Sequence, residues 1–187
     1  MTAEQAFPHG RTALAAALAA HATAVPEQAS LAAEFAAFLA EDARVFERGH
    51  LVGHFTASAF VVSADGARTL LLHHAKLQRW LQPGGHADGD ADLARVAHRE
   101  AAEETGLSGL IVEGGLFDLD RHAIPARGDE PEHWHWDVRY VARCTGNEVP
   151  KINRESRASA WRRIDALASD ELIDPSIRRM AVRWLSR

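Results

Sequence analysis

Residues 84–107 constrain this chain more than any other segment. Two glycines, which we expect to form a turn, precede a helix predicted at about residues 92–105. The helix carries three glutamates at i, i+3 and i+4 spacing, which places their carboxylates on one side: Glu100, Glu103 and Glu104. Like charges at this spacing destabilise an isolated helix by about 0.2–0.5 kcal/mol per pair, and a bound cation would reverse that effect. Clustered carboxylate oxygens suit Mg²⁺ or Mn²⁺.

A solvated acidic helix face is the alternative interpretation of these glutamates, and the neighbouring residues argue against it. Gly106 follows the helix at the position where a left-handed residue commonly ends it. Arg99 lies four residues before Glu103, close enough to hold that carboxylate. The pair Gly84–Gly85 allows the backbone to approach a site closely and leaves a carbonyl free for a metal ion.

The segment resembles the Nudix box of the Nudix hydrolases, G-x5-E-x7-R-E-U-x-E-E-x-G-U, where U is a bulky aliphatic residue. Seven of the nine fixed positions are matched, by Gly85, Arg99, Glu100, Glu103, Glu104, Gly106 and Leu107. Ala91 stands where the pattern has its first glutamate, and Ala101 where it has its first bulky aliphatic residue. The box spans residues 85–107, a small part of the chain, but its spacing is specific.

The resemblance implies hydrolysis of a phosphoanhydride bond in a nucleoside-diphosphate-linked small molecule, with Mg²⁺ or Mn²⁺ as the cofactor. Glu100 and Glu104 would be the first metal ligands, Glu103 a ligand or the base that activates water, and the carbonyl of Gly85 a further ligand. Arg99 is interpreted as an orienting partner for a carboxylate, so the expected catalytic residues are Glu103, Glu104 and Arg99. Divalent ions polarise phosphoryl oxygens and lower the pKa of bound water, which suits this chemistry.

Ala91 leaves a second function open. The family's glutamate at this position helps to hold the loop and the helix together, and Asp88, Asp90 and Asp92 surround the gap. A shifted carboxylate would take over that supporting role. The alternative is a Nudix-fold nucleotide-binding module with weak or no catalytic activity.

Two helices are predicted before the box, at residues 12–24 and about 27–47, separated by Val25-Pro26. The second has an apolar i, i+4, i+7 stripe that only Asp42 interrupts. We therefore predict a helical extension at 1–49, packed on the domain or at a contact in a homodimer, and a Nudix hydrolase domain at 50–187.

The later segments predict a sheet. Strands are expected at 54–62 and 69–72 around a hairpin turn at Asp65-Gly66, and at 115–124, 133–143 and 158–164. A helical stretch begins at Asp165, and a final helix has Asp174 as its cap and Pro175 as its first residue. This order favours an α/β (α+β) fold with a mixed sheet between helical layers. It is similar to the Nudix α/β/α sandwich, which the resemblance also implies.

Histidines are the distinctive residues outside the box. Residues 133–140 alternate strictly, so a strand would present His133, His135, Asp137 and Arg139 on one face. If the two long strands pair, His122 could meet His133 or His135 in a metal site or a phosphate-binding patch. A polar sheet face with internal hydrogen bonds is the interpretation that we favour from sequence, and a transition-metal protein is a third, weaker alternative for function.

Further residues are candidates for binding substrate. His86 follows the glycine pair, and the loop 125–132 offers Arg127, Asp129, Glu130 and Glu132 as phosphate-binding or catalytic groups. Together with the strand residues, the predicted substrate-binding set is His86, Arg127, His133, His135 and Arg139. Glu155 lies where related enzymes often carry an acidic residue, but it is not among the predicted site residues.

The charge and composition of the whole chain restrict which molecules it can bind. The formal net charge of −5 gives no basic surface for duplex nucleic acid or acidic membranes, and no apolar run has the length of a membrane span. One cysteine excludes an internal disulfide, and the alanine-rich N-terminal stretch is better explained as a helix than as a secretory signal. We expect a cytoplasmic protein that acts on a small-molecule diphosphate.

Overall fold

The computed structural model describes residues 10–128 and 130–187. Its helices are α1 (Gly10–Ala24), α2 (Ala29–Glu41), α3 (Leu93–Thr105), α4 (Ile164–Ser169) and α5 (Pro175–Leu185). Its strands are β1 (Gly53–Val62), β2 (Arg68–His74), β3 (Trp80–Leu81), β4 (Gly84–His86), β5 (Leu110–Ile124), β6 (His133–Cys144) and β7 (Ser156–Arg163). Two short 3-10 segments, Pro26–Gln28 and Ala43–Phe46, flank α2.

The strands form one sheet in the order β3-β2-β1-β6-β5, with β4 paired to β1 and β7 paired to β2. Strands β1 and β2 are antiparallel, with Val62 opposite Thr69, and Gly66 has the left-handed φ of 72° that a tight turn requires. The predicted hairpin is therefore confirmed. Strand β7 runs antiparallel to β2, from Arg68 opposite Arg163 to His74 opposite Ser156. The mixed α+β architecture agrees with the prediction.

The chain forms two compact units, and the described part of the first comprises residues 10–57, 85–96, 114–128 and 130–140. Helices α1 and α2 pack within this unit. Phe38 stacks on Trp136 with ring centres 4.4 Å apart, and the Gln28 amide donates to Asp118 Oδ1 at 3.0 Å and to the Leu119 carbonyl at 2.9 Å. Aromatic packing and a buried polar link thus attach the helical pair to β5 and β6. The predicted boundary between residues 49 and 50 stays a prediction.

Helix α2 ends earlier than the predicted residue 47. Asp42 is extended, with ψ at 150°, and its side chain accepts a hydrogen bond from Arg44 N at 2.8 Å. Aspartate is a strong capping residue, so Asp42 begins the separate segment Ala43–Phe46 instead of continuing the helix. The interruption of the apolar stripe at Asp42 was the signal for this break.

The second unit comprises residues 58–84, 97–113 and 141–187. Helix α5 begins as predicted, because Asp174 caps it by accepting from Ser176 N at 2.9 Å, with Pro175 in the first turn. Trp184 near its end donates to the Gly66 carbonyl at 2.9 Å, which ties the helix to the β1–β2 turn. Of the residues that the structure describes, none form a helix long and apolar enough to cross a membrane.

Candidate active site and histidine cluster

Helix α3 starts at a loop held by two aspartates that flank Ala91. Asp92 accepts from Arg95 N at 3.1 Å, and Asp90 accepts from Asp92 N at 2.9 Å. Asp90 also pairs with the Arg95 guanidinium at 2.8 Å. These bonds connect the loop to the first turn of α3. They supply the kind of support that the sequence hypothesis assigned to a shifted carboxylate.

The predicted glycine turn at residues 84–85 is wrong. Gly84–His86 is strand β4, paired with β1. The turn lies further on, where Asp88 and Gly89 have φ values of 49° and 86°. Strand pairing satisfies backbone groups that a turn would leave to water, and this gain outweighs the preference of glycine for turns.

The predicted end of the box helix is confirmed. Gly106 has a φ of 62°, and its N–H donates to the Ala102 carbonyl at 2.9 Å. A Cβ at this position would lie 2.9 Å from both the carbonyl oxygen and the Cβ of Lys151. Gly106 is thus required both for the left-handed conformation and for the close approach of the 151 backbone.

Glu104 occupies the most desolvated position among the box glutamates that the structure describes. It is buried, and its Oε2 accepts from Gly84 N at 3.2 Å. Burial raises the pKa of Glu104 to about 8; the Gly84 N–H opposes this rise, whereas the charges of Glu155, Glu100 and Glu103 add to it. A carboxylate crowded in this way is stabilised in its ionised form by a bound cation.

Arg99 forms a salt bridge with the adjacent Glu100, with Nη2 at 2.8 Å from Oε1. The sequence pattern favoured Glu103, four residues along, as its partner. Arg99 therefore contacts a box carboxylate, that of Glu100, and its orienting role stays a prediction. Gly85, the proposed carbonyl ligand, follows Gly84 in strand β4.

Glu155 joins the glutamates although the box spacing does not include it. Its negative charge contributes to the raised pKa of Glu104, and its carbonyl accepts from Ala75 N at 2.8 Å. The residue lies about fifty positions beyond Glu104 in the chain, so only tertiary structure brings it to the box helix. An acidic residue ahead of β7 was the only available sequence signal.

A second cluster consists of five histidines from four strands: His54 of β1, His86 of β4, His122 of β5, and His133 and His135 of β6. The ring centre of His54 lies 5.1 Å from that of His133 and 4.9 Å from that of His135. The ring centres of His133 and His135 are 5.2 Å apart. His122 meets His135 at 5.5 Å, as the pairing of the long strands predicted. His54 was not among the residues predicted from the sequence, although its alternation with Thr56 and Ser58 on β1 marks the same polar face.

The favoured interpretation of this face, internal hydrogen bonding, is wrong for two histidines. Both ring nitrogens of His54 and the Nε2 of His135 are buried without a hydrogen-bond partner. Burial lowers the pKa of His54 to about 4, with His86 and His133 adding to the effect. Burial likewise lowers the pKa of His135 to about 2, so both rings are neutral at pH 7.

Arg139 has a different role from the substrate binding predicted for it. It is only 3% exposed, and its guanidinium lies 2.7 Å from Asp137, 3.1 Å from Asp120 and 3.4 Å from Asp118. Three carboxylates within the sheet face balance its charge, so it is not available to a substrate phosphate. Here the expectation of an internally bonded polar face is correct.

The loop after β5 contributes one wall of a pocket. A cavity of about 280 Å³ is lined by Arg48, Gly49, Leu51, Glu130, Pro131 and His133. Arg127 is exposed and forms backbone hydrogen bonds with Glu130, and it is not part of this lining. Asp129, a candidate from the sequence, lies outside the described residues. Of the predicted substrate-binding set, the pocket includes His133.

Solved structures share this fold at low sequence identity. They include a C. elegans Ap4A hydrolase binary complex, 17% identical over 71% of this chain and 95% of that chain, with a TM-score of 0.55. A NUDIX-family hydrolase from Clostridium perfringens is 23% identical over 71% and 96% of the two chains, with a TM-score of 0.51. A NUDIX hydrolase from Nitrosomonas europaea is 18% identical over 71% and 88%, with a TM-score of 0.54. The predicted Nudix-like α/β/α sandwich is thereby confirmed.

Sequence comparison gives the same assignment. The RNA pyrophosphohydrolase of Sphingopyxis alaskensis is 30% identical over 111 residues, which cover 52% of this chain and 68% of that protein. The NUDIX domain family matches residues 53–185, which include every box residue. The chain therefore belongs to the Nudix hydrolase family and is a hydrolase that acts on acid anhydrides.

Proposed function

We propose that this Nudix hydrolase uses Mg²⁺ or Mn²⁺ to cleave the phosphoanhydride bond of a nucleoside-diphosphate-linked small molecule. The observation that carries the proposal is the environment of Glu104. Its carboxylate is buried beside three other carboxylates, and its pKa is raised to about 8. An acidic residue in such a place requires either a proton or a cation.

The donor set fits a hard divalent ion. Mg²⁺ usually keeps several waters and is bound by one or two carboxylates together with substrate phosphates. The box glutamates therefore need not converge on the ion by themselves. Glu100 and Glu104 would hold it, and Glu103 would act as a further ligand or as the base. When bound, the ion neutralises charge on the phosphates and makes the attacked phosphorus more electrophilic.

The remaining task of the protein is to hold these carboxylates and to move one proton. The Gly84 N–H fixes one oxygen of Glu104, and Arg99 fixes one oxygen of Glu100. The attacking water must lose its proton to a nearby carboxylate, for which Glu103 and Glu104 are the candidates. Gln at either position keeps the shape of the side chain but removes this capacity.

The substrate class rests on the family, and two relatives suggest which compounds to test. One relative is named RNA pyrophosphohydrolase and one solved structure is named Ap4A hydrolase. A test panel should therefore contain dinucleoside polyphosphates, nucleoside diphosphate sugars and an RNA with a 5′-polyphosphate end. Because the net charge of −5 gives no basic surface, we propose that small molecules are preferred over RNA.

Product analysis by mass spectrometry, with and without Mg²⁺ or Mn²⁺, tests the proposal. We expect turnover to require the ion and to fall by about 100-fold or more in Glu103→Gln, because general acid–base groups contribute about 10²–10⁴-fold. Glu171→Gln, at an exposed position, is the matched control and should leave turnover unchanged. Turnover that persists in Glu103→Gln and Glu104→Gln would refute the assignment.

The alternative, a nucleotide-binding module with weak or no activity, is motivated by Ala91. It predicts that a nucleotide raises the melting temperature while no compound of the panel is cleaved. Cleavage of any member at a rate that depends on Glu103 excludes it.

A further inference from the structure

We infer that His54, His133 and His135 bind a divalent transition-metal ion. All three belong to the first unit and come from strands β1 and β6. Among the described residues, they are the group of His, Cys, Asp or Glu side chains whose ligand atoms all lie within 4.8 Å of one another. The box glutamates are not in this group, so the inference concerns a second site.

The spacing of the rings fits one ion. A tetrahedral zinc ion about 2.1 Å from three imidazole nitrogens places the ring centres about 5 Å apart. The three observed separations are 4.9, 5.1 and 5.2 Å. His86 offers a further imidazole at the same spacing, with its ring centre 5.0 Å from those of His54 and His135.

The ring nitrogens are available as ligands. His54 is 2% exposed, yet neither of its nitrogens has a hydrogen-bond partner, and the Nε2 of His135 is buried in the same state. Buried polar groups without partners are rare, because each costs about 1–3 kcal/mol. A metal ion would satisfy one nitrogen of His54 and the Nε2 of His135 without any change of strand pairing.

His133 shows the outer contact that metal-bound histidines usually have. Its Nδ1 lies 2.9 Å from the Pro131 carbonyl, which can only accept a hydrogen bond, so Nδ1 carries the proton. The Nε2 is then the nitrogen with a free lone pair. Such a contact to a backbone carbonyl fixes the tautomer and the ring orientation in many metal sites.

The charged residues of the same sheet face differ from these histidines, because their side chains are paired. Asp137 and Arg139, on the same strand, are paired with each other and with Asp118 and Asp120. The ring nitrogens of His54 and the Nε2 of His135, by contrast, have no hydrogen-bond partner. His122 is paired with Asp120 at 3.2 Å.

The donor set also indicates the kind of ion. Neutral imidazoles suit Zn²⁺, Ni²⁺, Cu²⁺ and Co²⁺, whereas Mg²⁺ prefers oxygen ligands. Zn²⁺ is the most suitable probe because it has no preferred geometry of its own and accepts three histidines with one further ligand.

The experiment uses the full chain, purified without a histidine tag, and a zinc titration against a chromophoric chelator. We expect one Zn²⁺ per chain, and an affinity lower by about 100-fold or more in His133→Gln and His135→Gln, since loss of an outer partner alone costs 10–100-fold. His73→Gln, which removes a histidine on strand β2, and Glu104→Gln should bind Zn²⁺ as the unsubstituted chain does.

Two further measurements separate loss of the site from loss of the fold. Zn²⁺ should raise the melting temperature of the unsubstituted chain and not that of a His135→Gln variant that still unfolds cooperatively. Co²⁺ should give the intense visible absorption of a four-coordinate nitrogen site. Absence of zinc binding in the unsubstituted chain would overturn the inference, as would equal zinc affinity in the histidine variants or a Co²⁺ spectrum typical of octahedral oxygen coordination.

Discussion

The glutamates of the box helix and the histidines of the sheet are both clusters of potential metal ligands, but they differ in charge and in origin. The glutamates repel one another, and this repulsion contributes to the raised pKa of Glu104. Among the histidines, His54 and His135 are neutral at pH 7, and both have buried ring nitrogens without partners. One cluster therefore lacks positive charge, and in the other the ring nitrogens of His54 and the Nε2 of His135 lack hydrogen-bond partners.

This difference determines which ion each cluster suits. Carboxylates combined with substrate phosphates favour a hard ion that exchanges with solvent, as a catalytic Mg²⁺ does. Imidazoles at fixed ring spacing favour a transition metal with defined geometry. The glutamates of the first arrangement share one helix, whereas the histidines of the second come from separate strands.

The largest expected effect concerns the charged part of the histidine face. Arg139→Ala leaves Asp137 and Asp118 buried without their cation, and breaking a buried ion pair costs about 3–5 kcal/mol. Urea denaturation should show this loss in the free energy of unfolding, whereas Arg154→Ala at an exposed position should change it by less than about 0.5 kcal/mol. A loss of less than about 1 kcal/mol in the free energy of unfolding would show that the ion pairs of Arg139 contribute little to stability. It would contradict the distinction between the charged and the histidine parts of the face.

The second prediction concerns the glutamate cluster through pH. The pKa of Glu104 rises from 4.5 to about 8 on folding, so the folded state binds the proton more tightly than the unfolded state. In metal-free protein the resulting stability is present below pH 4.5 and is lost as the pH rises through 8, by a few kcal/mol. Glu104→Gln should remove this slope, and Mg²⁺ should reduce it in the unsubstituted chain.

Unfolding free energies measured between pH 5 and 8, with EDTA and then with Mg²⁺, provide the check. Glu171→Gln should keep the full slope, because that residue is exposed. Identical slopes in all three proteins would mean that Glu104 is not the desolvated group that we describe.

The smallest expected effect is that of restoring the family's glutamate at position 91. Asp90 and Asp92 already connect the loop to the first turn of α3 through Arg95. Ala91→Glu should therefore change turnover by less than about 10-fold, which is less than the contribution of a general base to the rate. An increase of about 100-fold or more would show that these aspartates do not replace the missing glutamate.

Local sequence signals predicted the parts of the fold that depend on neighbouring residues. The box helix, its end at Gly106, the hairpin at Asp65-Gly66 and the cap at Asp174 all follow from spacing, φ requirements or side chains a few positions away. The turn predicted at Gly84–Gly85 was wrong because pairing with β1, a distant segment, determines the conformation of these residues. Strands β3 and β4 are too short to show any periodicity.

The two sites also differ in how much of each could be predicted from local sequence spacing. The glutamate triad could be found because a helix brings i, i+3 and i+4 together. Glu155 and His54 come from distant segments, and no spacing rule connects them to their neighbours. Strand alternation correctly grouped His133 and His135, but only the register of the sheet adds His54 to them.

The central claim, that the two clusters take different ions, is tested most directly by metal partition. The unsubstituted chain, Glu104→Gln and His135→Gln would each be loaded with one equivalent of Zn²⁺ per chain and dialysed against excess Mn²⁺, and the bound ions would then be measured by mass spectrometry. We predict that His135→Gln loses Zn²⁺ and keeps Mn²⁺, and that Glu104→Gln loses Mn²⁺ and keeps Zn²⁺. Loss of the same ion from both variants, or of neither ion from either variant, would contradict the account.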